Sequence, residues 1–112
     1  WITRAAEAGA GIIVRGGIAH GGPDAVIRRP ALDVVWERAG LDDLLDDGMS
    51  RAELILRQTL SHPHAHTIIV GTCDPEHLAE NIRALDRGPL ADDLQAEIIG
   101  RIRSLSDTAG AE

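Results

Sequence analysis

His77, Glu80 and Asn81 fall three and four positions apart, so on a helix they share one edge. Just before them, residues 67–70 (Thr-Ile-Ile-Val) form a short run rich in β-branched side chains, which reads as a buried strand. Gly71 and Thr72 end that strand. Asp74 is a good N-cap, and Pro75 suits the first helical position, where a missing N–H costs nothing. From Glu76 the pattern is helical, with Leu78, Ile82 and Leu85 on one face. A parallel-type strand therefore feeds directly into a helix N-terminus. The first turn of such a helix has unpaired N–H groups and a partial positive charge. At the carboxyl end of a strand that is a ready place for a phosphate.

Other groupings point to chemistry less strongly. His62, His64 and His66 alternate in the connection before the strand, and three imidazoles so close can hold a metal. No Cys or acidic residue stands near them, and Pro63 fits a surface turn, so the loop reading is preferred. Asp42, Asp43, Asp46 and Asp47 lack the alternating spacing and central Gly of a calcium loop and read as a solvated helix face. Gly9-Ala10-Gly11 precedes a strand, whereas a dinucleotide fingerprint places its glycines after one. Cys73 is a lone cysteine, more often incidental than reactive.

These residues must be positioned by the rest of a short chain. Its 112 residues suffice for one small domain and fall well short of the roughly 250 of a complete TIM barrel. There is no Phe, Tyr or Lys, and every basic side chain is Arg. A net charge of −7 argues against a general nucleic-acid binder, which would show a basic face. The single Cys excludes an internal disulfide framework and fits a reducing compartment. No apolar run is long enough to cross a bilayer and no signal peptide is seen, so the expectation is a cytoplasmic protein without a membrane partner.

In order, residues 2–8 read as the end of a helix stopped by Gly9, and residues 11–15 as a second buried strand. Gly16 and Gly17 follow at once, where glycine lets the backbone bend and a ligand approach. Residues 20–29 form a loop by their Gly and Pro content. A helix from about residue 31 to Gly40 carries Leu32, Val35 and Trp36 inward, and residues 41–45 add a turn or two. Ser50 and Glu53 form a capping box opening a helix to residue 60, with Ala52, Ile55, Leu56, Thr59 and Leu60 inward. After the helix at 75–85, residues 86–89 turn. Residues 90–105 return to helix, burying Leu94, Ile98, Ile102 and Leu105, and residues 106–112 read as a frayed tail. Alternation of this kind implies parallel strands joined by right-handed crossovers, an α/β class. Two strands make no independent sheet.

One stretch also resembles a known family. Gly71-Thr72, then His77, then Glu80-Asn81, flanked by Ser61-His62-Pro63 and by Arg87 to Leu90, is similar to the cofactor-binding segment of the aldo/keto reductases. The resemblance extends from about residue 9 to about residue 105. It implies a partial TIM barrel: the last two parallel strands with their helices and a C-terminal extra helix. The missing N-terminal part of the barrel would precede Trp1. It also implies NADP as cofactor and a small-molecule carbonyl substrate in the full-length parent, reduced to an alcohol.

By that resemblance, Thr72 offers its hydroxyl and N–H to the 2′-phosphate of the adenosine ribose, and Gly71 matches the residue before it. His77 stands where most members place an Arg against that phosphate and the adenine face. A planar bidentate Arg is the stronger phosphate ligand, so NAD stays open beside NADP. Glu80 and Asn81 match the residues that bond the adenine amino edge. Arg15, Gly16 and Ile18 match a segment along the nicotinamide and pyrophosphate, where Gly16-Gly17 replaces Ser-Pro and leaves only backbone contacts. The family's catalytic Tyr and Lys have no counterpart in this sequence, so the chain itself is expected to be inactive. The competing expectation is a small acidic α/β interaction module with no reaction of its own.

Overall fold

The computed structural model describes residues 1–17 and 30–110. The elements run α1 (Ile2–Glu7), β1 (Ile13–Arg15), α2 (Pro30–Arg38), a 3-10 turn (Leu41–Leu44), α3 (Arg51–Leu60), β2 (Thr67–Ile69), α4 (Pro75–Arg87) and α5 (Asp92–Gly110). The two strands pair in parallel, with Ile13 opposite Thr67, Val14 opposite Ile68 and Arg15 opposite Ile69. The described residues are thus α/β, with helices packed on one face of a two-stranded parallel sheet.

Local signals place the helix ends. Ser50 Oγ accepts the Glu53 N–H at 3.0 Å and Asp74 Oδ1 accepts the Glu76 N–H at 2.8 Å, so each satisfies an orphan donor of the first turn. Only half of the capping box forms. The Glu53 carboxylate turns inward to Arg87 at 2.7 Å and Arg57 at 3.5 Å instead of reaching back to Ser50. A buried carboxylate is stabilised far more by two guanidinium groups than by one exposed N–H.

The core gathers between helices, not on the sheet. Trp36 from α2, Leu41 from the 3-10 turn, Met49, Leu54 from α3, Leu90 and Ile98 from α5 form one buried cluster. Leu54, absent from the expected inward stripe, is the most buried side chain there at 2% exposure. Helix α3 is enclosed on two sides: Leu54 faces this cluster, while Leu56 and Leu60 line the cleft beside β2. A single-face stripe could not anticipate that. Arg101 of α5 donates to the Gly40 carbonyl at 2.8 Å and ties α5 to the end of α2.

Three expectations are corrected here. The strands are not buried throughout. Each alternates exposed, half-buried, exposed, with Ile13 at 65% and Ile69 at 52% exposure. Helices cover one face of a two-stranded sheet, so the alternate side chains meet solvent. The apolar face of α4 is likewise uncovered, with Leu78, Ile82 and Leu85 half or more exposed and only Ala84 buried. Finally, residues 106–110 continue α5 as helix, where Leu105, packed against the core cluster, anchors the last turns.

Candidate functional site

Because β1 and β2 run parallel with Arg15 opposite Ile69, the residues after them leave the sheet at the same end. Gly16 and the segment Gly71-Thr72 are therefore neighbours by topology, with the N-terminus of α4 following directly. Gly16 takes φ +69°, the left-handed bend that glycine tolerates. Gly17 is a different case. Its carbonyl accepts the Thr59 hydroxyl at 2.7 Å, and a Cβ there would lie 3.0 Å from Thr59 Cγ2 and 3.1 Å from Ile68 Cγ2. Gly17 thus makes room for α3 and β2, not for a ligand.

Thr72, Asp74 and His77 form one connected set. Thr72 Oγ1 accepts the Asp74 N–H at 3.1 Å, and the other Asp74 oxygen lies 4.0 Å from His77 Nε2. Asp74 occupies the Glu76 amide, a donor that a bound phosphate would use, and its charge stands where an anion would sit. Asp74 was legible as an N-cap in the sequence; its competition with a phosphate follows only from the geometry. His77 is largely exposed.

Asn81, one turn beyond His77, is half-buried and lines an open cleft of about 290 Å3 with Leu56, Leu60, His66, Val70 and Leu85. Thr72 and His77 do not line that cleft. Glu80 is half-buried beside Asn81 on the same helix. Arg15 is exposed and falls on the uncovered sheet face with Ile13, Thr67 and Ile69. Ile18 lies outside the described residues. The structure therefore places Asp74 between Thr72 and His77, bonded to the first and 4.0 Å from the second, sets Glu80 and Asn81 a turn further along α4, and leaves Arg15 and Gly16 at the neighbouring strand end.

No protein-family model, curated protein or solved structure matches the chain.

The histidine trio is organised by the backbone. His62 Nδ1 accepts the His64 N–H at 3.1 Å, and His66 Nδ1 accepts the Ile12 N–H at 3.0 Å. Ring centroids stand 5.9 Å apart between His62 and His64 and 6.4 Å between His64 and His66. Among the described residues, no group of three His, Cys, Asp or Glu side chains is placed to hold a metal ion. The one carboxylate among the described residues whose pKa departs clearly is remote from the strand ends. Asp42 is held below its ordinary value, first by its hydrogen bonds from Arg51 and then by that from Trp36 Nε1 at 2.7 Å. No helix among the described residues is long and apolar enough to cross a membrane.

Proposed function

We propose that this chain is the carboxyl-terminal, cofactor-binding part of an NADP-dependent aldo/keto reductase barrel, whose parent reduces small carbonyl compounds to alcohols. The reading rests on one observation: parallel strands β1 and β2 end together, and the second opens straight into α4. Strand carboxyl ends are where α/β sheets commonly take nucleotides, which supports the reading. Thr72 and His77 would face the 2′-phosphate, Glu80 and Asn81 the adenine edge, and Arg15, Gly16 and Ile18 the rest of the cofactor. The hydride comes from the nicotinamide; the acid and its Lys partner belong to the N-terminal part of the barrel. The reading includes no nucleic-acid and no membrane partner.

Asp74 sharpens the test. In the parent, Asp74→Asn keeps an N-cap and removes a negative charge beside the phosphate, so NADPH should bind more tightly while NADH changes little. His77→Arg should act the same way, by roughly tenfold for NADPH, the size of one charge-assisted hydrogen bond. Equal effects on both cofactors would show that neither side chain faces the extra phosphate. Coding sequence upstream of Trp1 should continue in frame with a Tyr, a Lys, an Asp and a His in barrel-like spacing.

The exposed apolar face of α4 keeps a second reading in view, a small acidic α/β interaction module working through Leu78, Ile82 and Leu85. A monomeric chain with a single cooperative unfolding transition would favour the module over the barrel segment.

A further inference from the structure

We propose that His66 is a proton-sensitive clasp that, while neutral, holds the chain entering β1 against the chain entering β2. Ile12 is gripped at both of its backbone groups. Its carbonyl accepts the Thr67 N–H at 3.1 Å, and its own N–H donates to His66 Nδ1 at 3.0 Å. The first bond belongs to the β pattern; the second replaces a backbone carbonyl with an imidazole nitrogen. A backbone amide can only donate, so Nδ1 must be bare and a neutral ring carries its proton on Nε2. Protonation puts N–H against N–H, and the acceptor is lost. Histidine is the side chain that makes this change between about pH 8 and about pH 5.

His66 is itself exposed, so once the bond is lost the imidazolium is solvated and the Ile12 N–H turns to water, where it can exchange. Around His66 the cleft is built by Leu56 and Leu60 of α3 and by Asn81 and Leu85 of α4, all uncharged. Residues 10–12 of the segment before β1 are Ala, Gly and Ile. Among the described residues, the titratable group that faces it is the His64 ring, edge-on at 6.4 Å. When both rings are protonated they repel, which pushes in the same direction as the lost bond. The clasp sits at the amino ends of the strands, opposite the proposed cofactor crevice, so it does not depend on that reading.

The test is amide exchange at Ile12 on the whole chain, expressed at each pH as protection relative to an unstructured peptide. Protection should fall roughly fivefold between about pH 8 and about pH 5, the size of one net hydrogen bond. His66→Asn offers a carbonyl oxygen that does not titrate in this range, and its Ile12 protection should stay level with pH. His64→Asn should keep the fall. A long-range proton–nitrogen spectrum at high pH should show His66 with bare Nδ1. Protection at Ile12 that does not change with pH, a fall that survives His66→Asn, or a proton on Nδ1 at high pH would each overturn the clasp. The spectrum and the wild-type series need no variant to fold.

Discussion

Glu53 is where three parts of the chain converge. At 5% exposure its carboxylate meets Arg57 within α3 and Arg87 at the end of α4, and Arg57 also donates to the Gly88 carbonyl at 2.8 Å. Removing one partner of such a buried group leaves charge without compensation. Glu53→Ala should therefore cost about 3 kcal/mol in denaturant unfolding. Asp42 behaves differently because it is half-exposed. Its pair with Arg51 stacks beside Trp36, with the guanidinium carbon 5.5 Å from the ring centre. A pKa depressed on folding gives stability that is full above the ordinary value of 3.8 and lost as pH falls through the folded value. In a Trp1→Phe background, which removes the fully exposed indole, Trp36 emission should shift in that acid range. Asp42→Asn should abolish the acid shift and leave stability within about 1 kcal/mol.

At the level of elements, caps were the most legible feature because each depends on three or four adjacent residues. Ser50, Asp74 and Pro75 mark helix starts as expected, and Ser50→Ala should cost about 1 kcal/mol on thermal unfolding. The set Thr72, Asp74 and His77 is local in the same way. What the sequence concealed lies between elements. Leu54 is central only because a second layer of helix packs on α3, and the bareness of Leu78, Ile82 and Leu85 shows only when neighbours are counted. Gly17 is the clearest case. The sequence suggests room for a ligand, yet Thr59 and Ile68 fill that room. Gly17→Ala should destabilise by about 1–3 kcal/mol through overpacking, read as a lowered denaturant midpoint without any change of slope.

For the whole molecule, the balance between covered and uncovered apolar surface decides behaviour. The helical cluster around Trp36 and Leu54 is closed, while the sheet face at Ile13 and Ile69 and the α4 stripe are open. An open stripe contributes little to folding. Ile82→Glu should leave stability within about 0.5 kcal/mol while reducing binding of a hydrophobic dye. The ladder between β1 and β2 carries one more implication. Its entry residues, Ile12 and His66, are 54 positions apart, whereas the contacts within the cluster at α2 and the 3-10 turn are nearly adjacent in sequence. Closing so wide a loop takes entropy before any strand contact repays it. The pairing of α2 with the 3-10 turn can form early, whereas the strand ladder and the docking of α5, which ties Arg101 to Gly40 across 61 positions, both wait for wide loops to close.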